Sequence, residues 1–269
     1  MLLASRSGKQ SLFYVRLFVM QFKSDVKIIF EDEHLLVVNK PAGLMVHGDG
    51  RSDEYTLADW LLKMHPEIKE VGEPWTAQNG ELIYRPGIVH RLDRETSGVL
   101  VIAKDGTTFE ELKNAFKKRL VQKEYRAFVY GGFKEEKMQG VIERKIGRSP
   151  ADFRKYSAES TARGTLREAR TEYKVLEQSG SSQEKDFAYL ALFPKTGRTH
   201  QIRVHLKYIH HPIVCDKLYA PKKPCALGFE RVALHAHKIS FELQGKVYDF
   251  RADLPSDFES ALHVMKSTE

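Results

Sequence analysis

The chain has 269 residues, of which 42% are hydrophobic and 29% charged, and its net charge is +7. That length can bury a full core without disulfide or metal staples, and that balance excludes a disordered or membrane-embedded class. The basic excess is compatible with a polyanionic partner, although net charge speaks to association and not to fold.

Residues 1–25 read as an N-terminal extension. Their apolar run LFYVRLFVMQF is interrupted by Arg16 and is too short to span a bilayer. It also lacks the continuous apolar region and small-residue cleavage site of a signal peptide, so a cytoplasmic location and no membrane partner are expected. IIFEDEHLLVVNKPAG then predicts a strand over 28–30, an acidic turn, a second strand over 35–38 and a break at 41–43. In TLADWLLKM, Thr56 and Asp59 form a weaker variant of the capping box, and Leu57, Trp60, Leu61 and Met64 make an apolar helical face. A polar loop through residue 86 leads to HRLDRETSG, and the run after it predicts a strand over 99–103.

TTFEELKNAFKKRL reads as an amphipathic helix capped by Thr107 with Glu110, its stripe formed by Phe109, Leu112, Phe116 and Leu120. VQKEYRAFVYGGF alternates, which places Val121, Lys123, Tyr125, Ala127 and Val129 on one face of a strand. Between residues 144 and 170 stand eight basic residues against three acids, interleaved with Phe153 and Tyr156. Such a run is either a solvated face or a surface that tracks phosphates, with Arg148, Arg154 and Lys155 as candidate contacts. TEYKVLE and FAYLALF predict a hairpin, a helix is expected over 199–209, and a last strand over 232–241. Strands outnumber helices and short turns join several of them. The expected class is α+β, a central mixed sheet that is mostly antiparallel with flanking helices and loops. One domain over 26–260 and a C-terminal tail over 261–269 complete the division.

Three stretches can carry chemistry. In HRLDRETSG the carboxylate of Asp93 lies among the cations Arg91 and Arg94, an arrangement suited to a nucleophile or a local base; the alternative is a solvated turn. In PKTGRTHQIRVHLKYIHHPI, Thr199 is the expected N-cap and Ile202, Leu206 and Ile209 form the inward face. Thr199, Arg203, Lys207 and His210 lie on another, and Arg198 at the helix start makes a natural anion site. His200 and His205 are five apart and do not share a helical face, so no metal is expected and these histidines should hydrogen-bond structure or RNA. The third is Lys123 with Tyr125, an ammonium and a phenol facing one pocket. Cys215 and Cys225 show no CxxC spacing, so free thiols in a reducing compartment are expected.

HRLDRETSGVLVIAK closely resembles the catalytic motif of pseudouridine synthases of the RluA type. DEHLLVVNKPAGLMVH, VQKEYRAFVYG, PKTGRTHQIRVHL with HHPIVCDKLY, and RVALHAHKISF resemble further motifs of that family in the same order, over about residues 27–255. The resemblance implies the pseudouridine synthase fold and isomerisation of uridine to its C-glycoside in RNA, without metal or cofactor. It maps the essential aspartate to Asp93, which either attacks the ribose C1′ or abstracts the C2′ proton. It maps the base-stacking tyrosine to Tyr125, the arginine pairing with the aspartate to Arg203, and the arginine that fills the gap of the flipped nucleotide to Arg91. His90, Arg94, Lys123, Arg198, His200 and Lys207 become further candidate RNA contacts. Isomerising a base requires extruding it from its stack, which suits a loop carrying both a carboxylate and an intercalating arginine.

The chain departs from the family at three places. Only about 25 residues precede the domain, too few for the S4-like RNA-binding domain of many relatives. Cys215 stands where relatives usually have Gly, and the usual His-Pro pair after ISFEL is missing. Ribosomal RNA is the expected partner ahead of transfer RNA, and the chain is expected to act as a monomer. Two other classes compete: a glycoside hydrolase using Asp93 with Glu95, and a non-catalytic RNA-binding assembly factor, which would keep the basic stretch without needing Asp93.

Overall fold

The computed structural model describes residues 26–48, 53–77, 80, 82–179 and 187–266. The expected extension over 1–25 lies outside them. Strands β1 (Lys27–Glu31) and β2 (Leu35–Lys40) form the first hairpin. Its turn is made by Asp32, whose carboxylate accepts the backbone N–H groups of His34 and Leu35 at 2.8 and 2.7 Å. Helix α1 (Leu57–Met64) starts with the predicted reciprocal cap: the Asp59 N–H donates to Thr56 Oγ1, and the Thr56 N–H to Asp59 Oδ2. A two-residue ladder, β3 (Trp75–Thr76) with β4 (Leu82–Ile83), precedes β5 (Ser97–Ala103), which is buried along its whole length.

Helix α2 (Gly106–Lys117) is capped by Asp105, not by Thr107 as expected. The Asp105 carboxylate accepts from the Thr108 N–H at 2.9 Å and also meets the Thr108 hydroxyl and the His34 ring, so it outcompetes the hydroxyl two positions on. Strand β6 (Gln122–Tyr130) follows, then β7 (Gln139–Glu143), and the basic stretch folds into the short β8 (Ile146–Arg148), β9 (Tyr156–Ser157) and β10 (Arg163–Arg167). These three pair as a small separate sheet in the order β10-β8-β9. The predicted hairpin is β11 (Arg170–Ser179) against β12 (Phe187–Pro194), with a bulge between Val175 and Glu177.

Helix α3 (Gln201–Tyr208) starts from His200, which adopts a left-handed conformation (φ 55°) without a side-chain cap, so Thr199 is not the N-cap. Strand β13 (Leu234–Leu243) is the expected last strand. The chain continues into β14 (Lys246–Arg251) and helix α4 (Ser256–Lys266), neither of which was predicted. The expected domain boundary at 260/261 falls inside α4, which buries Phe258, Ala261 and Met265; its last turn is core, not tail.

The fold is α+β. The nine-stranded sheet runs β1-β2-β5-β13-β6-β12-β11-β7, with β14 also on β13, and every pairing is antiparallel except β5 with β13. That parallel contact sets His235 opposite Ser97 and Ala236 opposite Gly98. Gly98 has φ 121°, and a Cβ there would stand 2.1 Å from the Ala236 carbonyl oxygen, so only glycine lets the two strands meet. Among the described residues two large apolar cores result, one around β2, β5 and α1, the other around β6, β12 and α4, with a small third cluster of Ile146, Ala169, Val204 and Tyr219. Tyr125 packs against both large cores, which places it at the seam.

Candidate active site

At that seam lies a pocket of about 550 Å³, lined by the loop before β5, the end of α2, Lys123 and Tyr125 of β6, and the turn from β12 into α3. The loop before β5 is pinned from four directions. Gly87 turns it where a Cβ would stand 2.0 Å from the Ala103 carbonyl oxygen. The fully buried Lys40 donates to the carbonyls of Pro41, Leu44 and Arg94 at 2.7, 2.7 and 3.0 Å, fastening the β2 turn to the loop. Burial draws the Lys40 pKa down to about 7, against the pull of the Glu95 and Asp93 charges. Arg231 donates to the Glu95 carbonyl while its fork holds Asp257 at the start of α4. His90 accepts the Val101 N–H at 2.9 Å and stacks on Phe116 with ring centroids 4.7 Å apart. Burial, then the Lys123 charge, push the His90 pKa down to about 3, so its ring is neutral.

Asp93 stands at the pocket wall, half-buried, with Arg203 Nη1 at 3.2 Å. The rest of the Arg203 fork is held by Asp216, through Nε and Nη2 at 2.8 Å each. Asp216 is fully buried, and its Oδ1 also accepts the N–H groups of Leu218 and Tyr219, so it is anchored to its own turn. Burial opposes the Arg203 charge, but the Asp216 contacts, with Asp93 behind them, outweigh it and raise the guanidinium's pKa. The Tyr219 ring lies under the Arg203 guanidinium at 5.0 Å. The Tyr219 hydroxyl accepts the Tyr156 N–H and meets His200 Nδ1 at 2.9 Å, and His200 Nε2 stands 3.9 Å from Asp93. Burial lowers the His200 pKa, partly offset by Asp93.

The Tyr125 phenol is pushed well above its usual pKa by burial and then by the Asp93 charge, so it is a neutral aromatic surface and a proton donor. Burial lowers the neighbouring Lys123 to about 8. Seven cationic side chains and one carboxylate, Asp93, are found among the described residues of the lining. An anion with a planar ring is what such a cavity accommodates.

The structure gathers Asp93, Tyr125, Arg203, Arg91, His90, Lys123, Arg198 and His200 around this pocket. It does not bring Arg94, Lys207, Arg148, Arg154 or Lys155 to its lining. Arg94 pairs with Glu54 at 2.6 Å; Arg154 and Lys155 share Asp152; and Arg148 donates to the Phe153 carbonyl and covers the Tyr156 ring. His205 is buried on Thr171 and the Arg144 carbonyl, and His211 stacks on Phe133. Sequence reading did not place Lys40, Lys117, Arg119, Lys195, Asp216 or Arg231 at the site. A lysine at the end of the fully apolar LLVV run was the available sign for Lys40.

The free-thiol expectation is overturned. Cys215 and Cys225 form a disulfide, their Cα atoms 4.3 Å apart. Cys215 is left-handed (φ 57°), and the Tyr130 hydroxyl accepts its N–H while donating to the Pro224 carbonyl, which draws the two ends of this loop together. The loop so closed contains Asp216 and Tyr219. No helix among the described residues is long and apolar enough to cross a membrane.

A family model described as RNA pseudouridylate synthase matches residues 34–208. A Synechocystis protein named as an uncharacterized RNA pseudouridine synthase is 37% identical over 242 residues, 89% of this chain and 68% of that one. The ribosomal large subunit pseudouridine synthase D of Zymomonas mobilis is 36% identical over 242 residues, 87% of this chain and 71% of its own. Among solved structures, human RNA pseudouridylate synthase domain containing 4 superposes with a TM-score of 0.68 at 26% identity, covering 95% of this chain and 98% of that one.

Proposed function

We propose, from the premise that the chain belongs to the RNA pseudouridylate synthase family and isomerises uridines in RNA, that its substrate is large-subunit ribosomal RNA and that Asp93 is its catalytic residue. The observation that carries the second point is the chain of contacts from Asp216 through Arg203 to Asp93, inside a pocket floored by Tyr125. The target rests on relatives named ribosomal large subunit pseudouridine synthase D. Transfer RNA is the second reading. The enzyme is taken to act as a monomer in the cytoplasm, where both RNAs are found.

In this reading the uridine leaves its stack, its base lies on the Tyr125 ring, and Arg91 occupies the space it vacated. Arg91 is suited to fill that space because it is exposed at the pocket edge, with its guanidinium steadied by the His47 ring at 3.3 Å. The reaction breaks the bond between N1 and C1′ and forms one between C5 and C1′. C5 loses a proton and N1 gains one, so no redox partner is required. Asp93 serves the sugar, by attack at C1′ or by removal of the C2′ proton, and Arg203 holds its carboxylate in line. Asp93 also bears on the phenol of Tyr125, which stays protonated and can exchange a proton with the base only in concert with the transfer.

The test incubates the purified chain with large-subunit ribosomal RNA and, separately, with transfer RNA, and maps pseudouridine by carbodiimide-dependent primer-extension stops. New stops in ribosomal RNA that vanish with Asp93→Asn are expected. Stops confined to transfer RNA would move the target, and binding without product on either RNA would favour the assembly-factor reading.

A further inference from the structure

Three arginines from distant parts of the chain stand at or beside the pocket lining. Arg119 follows the last turn of α2, Arg167 ends β10, and Arg198 sits in the turn before α3. Arg119 and Arg198 line the pocket. Arg198 Nε donates to the carbonyl of Glu168 at 3.1 Å, which latches the turn to the end of β10 beside Arg167. Glu168 itself turns its carboxylate to Lys145 at 3.0 Å. None of the three guanidiniums pairs with a carboxylate among the described residues. Their neighbours Arg154, Arg170 and Lys195 all do. Arg198 is half-buried, and after burial the charges of Arg167 and Arg119 are what lower its pKa.

The backbone supports the same conclusion. Helix α2 ends in a Schellman turn, with Leu120 N–H to the Ala115 carbonyl at 3.0 Å and Arg119 N–H to the Phe116 carbonyl at 3.1 Å. The left-handed position of that turn favours glycine, yet Arg119 occupies it at φ 61°. The strained position carries a side chain that makes no ion pair among the described residues and lines the pocket. Strain of that sort collects where ligands are held.

We propose that Arg119, Arg167 and Arg198 form one phosphodiester subsite, which seats a backbone phosphate of the RNA flanking the nucleotide held over Tyr125. The inference rests on the reading of the pocket as a uridine site and names how the strand leaves it. Guanidinium forks match phosphate oxygens two at a time, and three forks without carboxylates leave a like-charge repulsion that an anion relieves. The phosphate contact carries no sequence information; it sets the register of the strand so that the adjoining base reaches the pocket.

The test is a binding cycle in an Asp93→Asn background, where turnover cannot alter the RNA. The probe is a synthetic stem-loop with one uridine in its loop, made as a series in which each loop phosphate in turn is a neutral methylphosphonate. One position is expected to weaken binding about tenfold, and that same position to cost nothing once Arg119, Arg167 and Arg198 are all glutamine. The slope of log K against log salt should also flatten by roughly 0.7, the share of one neutralised phosphate on a single strand. A methylphosphonate penalty that persists unchanged in the triple variant, or no penalty at any position, overturns the proposal. Thermal melting verifies that the triple variant folds, and Arg119→Lys with Arg198→Lys retains charge if it does not. Pseudouridine formation by the chain with Asp93 intact is scored separately. A failed cycle beside successful isomerisation removes the subsite alone, and a successful cycle without isomerisation leaves an RNA-binding subsite and removes the enzymatic reading.

Discussion

The pocket floor and the small sheet β10-β8-β9 both carry many charges, and they use them in opposite ways. Around the small sheet, acids take three of the cations: Asp152 takes Arg154 and Lys155, and Glu168 takes Lys145, while Arg144, Arg148, Arg163 and Arg167 meet no acid among the described residues. Exposed pairs of this kind contribute little to stability, and the cations they engage are less free for a partner. At the pocket the charges come from elements far apart in the chain, and Arg203 is desolvated between two aspartates. A run of basic residues in a sequence is therefore only a partial guide to where the free positive charge lies. What counts is which cations tertiary folding leaves without an acid.

The largest effect should come from breaking the floor at its centre. Asp93→Asn should lower pseudouridine formation by at least about 10³-fold while the melting temperature stays near that of the wild type. A residual rate within tenfold of wild type would undo the distinction between the two regions. Asp216→Asn removes one partner of a buried ion pair and should cost about 3 kcal/mol of stability in denaturant melts, together with most of the activity. The equivalent change on the small sheet, Asp152→Asn, should leave the denaturant melt close to that of the wild type.

Reducing the Cys215–Cys225 bond releases a closed loop that contains Asp216, and should lower stability by up to about 3 kcal/mol in paired melts with and without dithiothreitol. Because the staple and Asp216 act on one turn, Cys225→Ser and Asp216→Asn should fall short of additivity.

Lys123 gives the comparison a pH axis. Its burial-lowered pKa of about 8 means that the ammonium is present below that pH and lost above it. RNA binding should thus weaken as pH rises through about 8, and Lys123→Arg, which stays charged, should remove the decline. The smallest effect is a gain: Arg119→Gly relieves the left-handed strain and should raise stability by up to about 1 kcal/mol, in melts, while RNA binding weakens.

Much of the molecule was legible from residue pattern. The hairpin of β1 and β2 followed from two apolar runs around an acidic turn, α1 from its capping box, and the β11–β12 hairpin from two apolar runs around a polar loop. Where local chemistry had rivals the reading slipped. Two N-caps were misplaced: Asp105 bound the α2 terminus better than Thr107, and a left-handed His200 opened α3 without a cap. Helix α4 was read mostly as tail because SDFESALHVMK offers only Phe258, Ala261 and Met265 to a core, and the core that receives them is built from the distant strands β6 and β12 as well as from β13.

The sequence by itself determined the strand and helix periods, the order of the motifs and the candidate residues for chemistry, since those signals are local and repeat at the spacing of the backbone. Only the tertiary structure decided which charges remain unpaired, that Cys215 meets Cys225, that Lys40 fastens the loop of Asp93, and that Arg119 and Arg198 line one pocket with Arg198 latched beside Arg167. Each of those facts joins residues separated along the chain. Their distances depend on sheet order and on close approaches such as Gly98 against Ala236, which no local pattern encodes.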